Sequence, residues 1–243
     1  AVWSEASEVI LVNCKSSLAN SLQHGGENIR QFDTPKSALL KFWQAIRPHQ
    51  WLKNALIFLP LILSHQLNQA DLLLQACTAF ICFSLVASSV YLLNDMLDLN
   101  SDRQHPTKRQ RPFASGDLSL AYGYMGAPLL LALGFLISLS LPTEFVFLLL
   151  GYWLVTSLYS LLLKSLFLID MLTLASLYTW RIVAGSAAIA VVTTYYLLAC
   201  SFFLFLGLAM VKRYTEFLNL QYEGKSTICL LYTSPSPRDV EEA

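Results

Sequence analysis

Six apolar segments constrain the fold more than any other feature of the sequence. They lie at residues 52–66, 72–96, 118–140, 143–163, 166–190 and 194–211. All but the first contain about twenty mostly apolar residues, enough for an α-helix to cross about 30 Å of hydrocarbon. The first is shorter, and a helix that begins near Lys36 would carry it in from the interface. Only 13% of the residues are charged, about half the share usual in soluble domains. The sequence therefore predicts an all-α polytopic membrane protein.

The lysines and arginines that flank these segments collect on one side of the predicted spans. The connections 65–71, 141–144 and 191–196, on the opposite side, contain neither residue. Because cytoplasmic loops are enriched in Lys and Arg, the basic side is predicted to be cytoplasmic in a multi-pass protein of the inner (plasma) membrane. The net charge is zero, so no basic field indicates a nucleic-acid partner. The basic positions are Arg47, Lys53, Arg103, Lys108, Arg109, Arg111, Lys164, Lys212 and Arg213.

The two ends of the chain differ from its apolar middle. Residues 8–13 (EVILVN) predict a short buried strand, residues 15–24 a helix, and the polar residues 27–36 a linker. At the other end, CLLYTSPSPRD (Cys229–Asp239) resembles the translation of a common transposase sequencing adapter. We therefore expect residues 227–243 to be foreign to the native protein. The alternative is a disordered tail rich in Ser and Pro.

Four polar residues follow one another at the end of the second span: Asn94, Asp95, Asp98 and Asp102. If the helix continues to Asp102, a rotation of 100° per residue places them within about a quarter-turn of one face. Neighbouring carboxylates repel each other, and a divalent cation would neutralise them. Hard oxygen ligands favour Mg²⁺, which keeps waters and bridges to phosphate oxygens. The four residues are therefore predicted to hold Mg²⁺, with the three aspartates as catalytic residues.

The segment that follows these four residues is rich in cationic side chains. Arginine binds phosphate groups through two parallel hydrogen bonds, and lysine supplies a point charge. A diphosphate is therefore predicted as the partner of the metal. The alternative is a basic cytoplasmic loop beside an incidental acidic helix end. The residues concerned are Arg103, His105, Lys108, Arg109 and Arg111.

The stretch NDMLDLNSD (Asn94–Asp102) matches the motif N-D-x-x-D-x-x-x-D at every defined position. On this motif the chain resembles the UbiA prenyltransferase superfamily, over about residues 37–223. Within the superfamily it is most similar to the decaprenyl-phosphate phosphoribosyltransferase branch. That similarity rests on RPHQWLKN (47–54), HPTKRQRPFASG (105–116), YSLLLKSLFLID (159–170), Arg181 with the following Ala184-Gly185, and KRYTE (212–216).

The resemblance implies about nine transmembrane helices around a central cavity. Two aspartate-rich segments would face each other on the cytoplasmic side. Since six spans are counted here, the seventh to ninth would be missing, and we expect residues 1–243 alone to be inactive. The second segment of the superfamily usually has paired aspartates, whereas Asp170 stands nearly alone, with Lys164 six residues earlier. That departure weakens a plain prenyltransferase assignment and fits the phosphoribosyl branch.

The opening residues, AVWSEASEVILVN, resemble the last strand region of a haloacid-dehalogenase-like phosphatase domain. Some members of the superfamily carry such a domain in front of the membrane helices. The implied organisation has three parts. Residues 1–35 would be the end of a soluble domain and its linker, residues 36–226 a truncated UbiA-like transmembrane domain, and residues 227–243 the foreign tail.

Further polar residues are predicted to contact substrate. Lys164 and Asp170 are assigned to phosphate and metal, with interfacial anchoring as the alternative. Arg181 lies eleven residues after Asp170, about 16 Å along the fifth span, where a charge is costly. We expect it to line the cavity; the alternative is a buried ion pair. The other candidates on the basic side are Lys53, Asn54 and Lys212, and Arg47 ranks behind Lys53.

The function predicted from these residues is Mg²⁺-dependent transfer of a phosphoribosyl group from phosphoribosyl diphosphate to a polyprenyl phosphate. The alternative among enzymes is UbiA-type transfer of a prenyl group from an allylic diphosphate to an aromatic acceptor. The alternative outside enzymes is a transporter or lipid-binding protein, which would place polar residues near the bilayer midplane. Most charges collect at one face instead, with Arg181 as the exception.

Overall fold

The computed structural model describes residues 9–12, 29–32, 38–105, 107–161 and 167–222 of the chain. Helices dominate residues 38–222, so the predicted all-α membrane domain is confirmed. A 3₁₀ helix spans Pro48–Phe58, and a second, short one spans Lys108–Gln110. The α-helices are α1 (Ala38–Ala45), α2 (Leu59–Leu63), α3 (Ala70–Leu97), α4 (Leu99–Gln104), α5 (Leu120–Ser138), α6 (Thr143–Leu161), α7 (Phe167–Ala188) and α8 (Tyr195–Tyr222).

Four of the described helices are long and apolar enough to cross a membrane: α3, α5, α6 and residues Tyr195–Thr215 of α8. They coincide with the second, third, fourth and sixth predicted spans. The fifth predicted span corresponds to α7, which has 22 residues and carries both Asp170 and Arg181. The protein is therefore embedded in a membrane, while the total of six spans stays a prediction.

The first predicted span, residues 52–66, is not one continuous α-helix. Residues Pro48–Phe58 form a 3₁₀ helix of 11 residues, and α2 adds only five more. Nor does a single helix lead in from Lys36, because α1 ends at Ala45 and Arg47 has φ 54° and ψ 60°. Pro48 explains the break: it has no backbone N–H to donate, and it disfavours α-helical backbone at the residue before it.

The 3₁₀ helix packs against the protein through every third residue. With three residues per turn, side chains at i and i+3 lie in one row. Trp51 Nε1 donates to Ser88 Oγ of α3 at 3.0 Å, and Asn54 Nδ2 donates to Ser84 Oγ at 3.1 Å. The next member of the row, Ile57, is fully buried. This row fixes the 3₁₀ helix against α3.

Helix α7 approaches the same 3₁₀ helix at Gly185. A Cβ atom added at this position would overlap the backbone carbonyl of Ile57. Glycine is therefore required for the two backbones to come this close. The 3₁₀ helix is held between α3 and α7.

Helix α3 lies at the centre of the helices. Its apolar window is 61% buried, whereas that of α8 is 6% buried. It packs along α5 and also contacts α6, α7 and the 3₁₀ helix. The ring of Phe83 in α3 lies 5.9 Å from that of Phe145 and 4.8 Å from that of Tyr152, both in α6. Since α3 also carries Asp95 in its last turn, this packing fixes the position of that carboxylate.

Two short strands precede the helices. The predicted strand is confirmed as β1 (Val9–Val12), which pairs in parallel with β2 (Ile29–Phe32). The predicted linker at residues 27–36 is therefore wrong in its centre, because pairing with β1 satisfies the backbone groups of β2. The predicted helix at residues 15–24, Lys164 and the tail 227–243 lie outside the described residues. The haloacid-dehalogenase-like origin of residues 1–35 stays a prediction.

Candidate functional site

The helix that carries the four polar residues breaks among them. Helix α3 ends at Leu97, Asp98 has φ −88° and ψ 12°, and α4 runs from Leu99 to Gln104. The prediction of one helix continuing to Asp102 is therefore wrong, because the regular rotation of 100° per residue stops before Asp98. The side chains on either side of the break are positioned by two helices rather than one.

Asp95 and Asp102 nevertheless meet, at the side chain of Arg111. Arg111 Nη1 donates to Asp95 Oδ1 at 3.1 Å and to Asp102 Oδ2 at 2.6 Å. The two carboxylates are only 3% and 2% exposed. Burying a carboxylate is costly unless it is paired, and Arg111 provides a partner for both. The structure thus brings together three of the predicted site residues.

A second arginine, Arg47, binds the same carboxylate. Arg47 Nη2 donates to Asp95 Oδ1 at 2.5 Å, and the guanidinium lies over the ring of Tyr91, 5.5 Å from its centroid. The sequence ranked Arg47 behind Lys53, so this residue was missed as a site residue. The contact joins residues 48 positions apart along the chain, and no pattern in the sequence indicates the left-handed backbone at Arg47.

Phe113 anchors the segment that carries Arg111. The ring of Phe113 is buried in an apolar cluster that includes Ala45 of α1 and Leu92 of α3. These two residues precede Arg47 and Asp95 by two and three positions along the chain. One apolar cluster therefore holds together the three segments that supply the two arginines and the first carboxylate.

A pocket of about 290 Å³ lies beside these charges. It places cationic N–H donors next to a buried carboxylate, which suits an anion that arrives together with a metal ion. Its lining residues are Gln44, Arg47, His49, Gln50, Asp95, Thr107, Gln110, Arg111 and Pro112.

The two carboxylates retain the capacity to bind a cation. Asp95 Oδ2 is buried and has no hydrogen-bond partner, although Oδ1 of the same group has two. Mg²⁺ is commonly held by one or two carboxylates, with waters and substrate phosphates completing its shell. Asp95 and Asp102 therefore fit this ion. Among the described residues, no group of three or more Asp, Glu, His or Cys side chains forms a metal site.

Asn94 and Asp98 lie outside the pocket lining. Asn94 Nδ2 donates to Ser160 Oγ of α6 at 2.9 Å, and Asp98 is half-buried at the helix break. The amide of Asn94 thus joins α3 to α6 in this structure. The metal-binding roles of both residues stay predictions.

Most of the predicted phosphate-binding cations are exposed. Lys53 Nζ donates to Gln50 Oε1 at 3.3 Å, so it lies next to the pocket wall. None of the exposed cations, Lys53 included, belongs to the lining of this pocket. Their contact with substrate stays a prediction. The exposed residues are Lys53, Arg103, Lys108, Arg109 and Lys212.

Asp170, near the start of α7, is bound by residues of two neighbouring helices. It is 7% exposed; the Tyr159 hydroxyl of α6 donates to Oδ1, and Arg213 Nη2 of α8 lies 3.2 Å from Oδ2. The carboxylate therefore ties the ends of α6, α7 and α8 together. Its predicted contact with metal and phosphate stays a prediction.

Arg181 and Asn54 belong to one buried network. Arg181 is 5% exposed and donates to Asn54 Oδ1 at 2.8 Å, to the Leu177 carbonyl at 2.6 Å and to the Tyr152 hydroxyl at 2.9 Å. Its guanidinium also lies over the rings of Tyr152 and Tyr178. All these partners are neutral, so among the described residues the charge is held by dipoles and ring faces rather than by a carboxylate. The cavity-lining role of Arg181 stays a prediction.

Comparison with known proteins gives this geometry a family context. Residues 55–224 match the UbiA prenyltransferase family. The decaprenyl-phosphate phosphoribosyltransferase of Mycolicibacterium smegmatis is 33% identical over 186 residues, which cover 75% of this chain and 58% of that protein.

Two rhizobial proteins are also similar to the chain. The nodulation protein NoeC of Azorhizobium caulinodans is 36% identical over 191 residues, covering 78% of this chain and 61% of that protein. The uncharacterized protein y4nM of Sinorhizobium fredii is 33% identical over 228 residues, covering 93% of this chain and 44% of that protein. The chain thus spans about half the length of the curated relatives it matches.

Solved structures share the fold. A UbiA homologue from Archaeoglobus fulgidus bound to DMAPP and Mg²⁺ gives a TM-score of 0.63 at 17% identity, covering 74% of this chain and 65% of that one. A structure reported for digeranylgeranylglyceryl phosphate synthase in membranes gives a TM-score of 0.62 at 20% identity, covering 80% of this chain and 69% of that one. At these identities the likeness establishes the fold alone.

Proposed function

This chain belongs to the UbiA prenyltransferase family, and we propose that the protein transfers a phosphoribosyl group from phosphoribosyl diphosphate to a polyprenyl phosphate. One observation carries the proposal: Asp95 and Asp102 are buried around Arg111, and Asp95 Oδ2 has no partner. This arrangement lies beside a pocket that both arginines line. It suits a diphosphate that binds together with Mg²⁺.

The carboxylates and the arginines would have different roles in binding the donor. Mg²⁺ held by Asp95 and Asp102 would neutralise the diphosphate as it leaves. Arg111 and Arg47, which both line the pocket, would donate hydrogen bonds to its oxygens. The bond between ribose C1 and the diphosphate oxygen breaks, and the diphosphate keeps the electron pair. An oxygen of the lipid phosphate then bonds to C1. That phosphate is already anionic, so the reaction needs no strong general base.

The choice of a phosphoribosyl donor rests on two supports. The relatives from Mycolicibacterium smegmatis and Corynebacterium glutamicum, at 33% and 34% identity, are named decaprenyl-phosphate phosphoribosyltransferases. In addition, Asp170 is already bound by Tyr159 and Arg213, which fits a protein without the second aspartate pair of plain prenyltransferases.

Prenyl transfer to an aromatic acceptor is the second candidate. Structures of the Archaeoglobus fulgidus homologue contain DMAPP or GPP with Mg²⁺, and the same carboxylates and arginines would suit an allylic diphosphate. The two candidates differ in which substrate carries the diphosphate. In both, the lipid would lie between helices, and we place the pocket on the cytoplasmic side because the basic connections mark that side.

The deciding experiment uses the full-length protein with Mg²⁺ in two parallel assays. One offers radiolabelled phosphoribosyl diphosphate with polyprenyl phosphate, and the other offers a radiolabelled allylic diphosphate with aromatic acceptors. We expect label in the lipid fraction of the first assay. Product in the second assay only would overturn the phosphoribosyl proposal in favour of prenyl transfer. Absence of product in both would overturn both enzymatic candidates.

A further inference from the structure

We propose that Arg47 is a donor-binding residue that exchanges partners. In the free protein it neutralises Asp95, and it moves to the diphosphate when the metal and the donor bind. This inference rests on the proposed function and assigns a new residue and a new step to the same site.

The charges around Asp95 are balanced without any ligand. Two arginines, Arg47 and Arg111, and two carboxylates, Asp95 and Asp102, form one connected cluster of zero net charge. A divalent cation added to the carboxylates would lie close to both arginines and be repelled by them. The repulsion is relieved if an arginine leaves the carboxylate and binds the anion that accompanies the metal.

The two carboxylate oxygens of Asp95 differ in their hydrogen bonds. Its Oδ1 accepts from both arginines, at 2.5 Å and 3.1 Å, whereas its buried Oδ2 accepts from none. One carboxylate oxygen thus carries two cationic donors while the other is available for a metal. Asp95 can therefore lose its ion pair with Arg47 and still be paired, since Arg111 remains bound to it.

Arg47 is the arginine better placed to move. Arg111 is bound to both carboxylates, and the buried ring of Phe113 anchors its segment. Arg47 forms an ion pair with Asp95 alone among the described residues. It lies between an eight-residue helix and the 3₁₀ helix, and its left-handed backbone is strained for a residue other than glycine. The guanidinium also lies over the ring of Tyr91, which gives it a second contact beside the ion pair. A small rotation at this turn would release Asp95 while keeping the charge at the pocket.

Partner exchange makes opposite predictions for the metal and for the anion. Without Arg47, a metal ion alone no longer competes with a cation for Asp95, so it binds more tightly. The diphosphate, however, loses one of its donors and binds more weakly. A residue that merely holds Asp95 in position would weaken both.

The test compares Arg47→Gln with the full-length wild-type protein in detergent, using Mn²⁺ and inorganic diphosphate as probes. We expect Mn²⁺ alone, titrated by electron paramagnetic resonance, to bind about tenfold more tightly to the variant. Inorganic diphosphate, titrated at saturating Mn²⁺, should bind about tenfold more weakly. Lys41→Gln is the matched control, because it removes a positive charge from the ion pair with Asp117, and Lys41 lies in α1, six residues before Arg47 along the chain. Both affinities should stay unchanged in this control.

Several outcomes would overturn the proposal. Weaker binding of both probes would reduce Arg47 to a positioning residue, and unchanged binding of both would remove it from the site. A wild-type protein that binds neither Mn²⁺ nor diphosphate would instead contradict the proposed function itself.

A measurement on the wild-type protein covers the case in which Arg47→Gln does not fold. Modification of Arg47 by phenylglyoxal, followed by mass spectrometry, reports how freely its guanidinium can react. We expect Mn²⁺ alone to accelerate the modification several-fold, and added diphosphate to slow it below the rate without ligands. No acceleration by Mn²⁺ alone would contradict the exchange.

Discussion

Asp95 and Arg181 are both buried charges in the helical domain, and their hydrogen bonds are arranged in opposite ways. Asp95 has two cationic partners on one oxygen and none on the other. Arg181 has a neutral acceptor for each of its three nitrogens, and two aromatic rings lie beside it. The first arrangement leaves a strong ligand oxygen available, whereas the second occupies every nitrogen of the cation. Burial of a charge is therefore a weaker sign of function than the unused bonding capacity of that charge.

The largest expected effect comes from removing the available ligand. We expect Asp95→Asn to lower transfer activity of the full-length protein at least about 100-fold, because one metal-binding charge is lost at the reacting diphosphate. Mn²⁺ binding should weaken in parallel, while insertion into the membrane stays intact. Asp98→Asn is the comparison, since Asp98 lies outside the pocket lining, and it should cost less. Equal losses in the two variants would support the predicted role of Asp98 in metal binding and contradict its expected smaller effect.

The buried network should respond in stability instead of metal binding. Arg181→Met leaves the Asn54 carbonyl and the Tyr152 hydroxyl without their donor, at a cost of about 2–4 kcal/mol in the free energy of unfolding. Thermal unfolding in detergent measures the loss. Tyr152→Phe removes a single acceptor and should cost about 1 kcal/mol. If Arg181→Met weakened Mn²⁺ or diphosphate binding without affecting stability, the contrast with Asp95 would fail.

A smaller effect is expected where α7 meets the 3₁₀ helix. Gly185→Ala places a methyl group against the Ile57 carbonyl, so the backbones must separate, at about 1–3 kcal/mol. The control is Gly207→Ala in α8, where nothing lies within 4 Å of the added Cβ. That substitution should be neutral or stabilise the helix by about 0.5–1 kcal/mol. Equal unfolding temperatures for the two variants would show that the close approach does not matter.

The smallest effect concerns an ion pair outside the spans. Lys41 Nζ donates to Asp117 Oδ2 at 2.5 Å, and this hydrogen bond lowers the pKa of Asp117. Because the folded-state pKa lies below the unfolded value of about 3.9, the stabilisation is present at higher pH and is lost as the pH falls through the folded pKa. The pair is solvated, so about 0.2–1 kcal/mol is expected. The unfolding temperatures of wild type and Asp117→Asn should differ at pH 6 and converge at low pH. A difference that persists there would contradict this assignment.

The sequence predicted the parts of the fold that depend on local composition. The apolar runs predicted α3, α5, α6 and α7 close to their observed bounds, because twenty apolar residues in succession have few other solutions. For α8 they predicted the start, but the helix continues 11 residues past the predicted end at 211, to Tyr222. The motif around Asp95 and Asp102 likewise marked the acidic centre of the site. These features are properties of short stretches, so one sequence is enough to see them.

The parts that failed depend on contacts between distant segments. The α-helix breaks at Asp98, although the surrounding stretch contains no proline or glycine that would predict a break. The predicted linker around Ile29 is a strand, because β1 pairs with it. Arg47 was ranked too low because its partner lies 48 positions away along the chain. Hydropathy and motif spacing contain no information about such partners.

The 3₁₀ helix also sets the distance between two fixed points. One is Arg47, which precedes it, and the other is Ile57 near its end, which contacts Gly185. At about 2 Å per residue, its 11 residues extend about 22 Å, whereas the same residues in an α-helix would extend about 16 Å. A one-residue insertion after Trp51 would rotate the two ends by about 120° relative to each other. A three-residue insertion would keep the row in phase but lengthen the segment by about 6 Å. A change in the length of this segment is therefore expected to shift Trp51 and Ile57 relative to their contacts on α3 and α7.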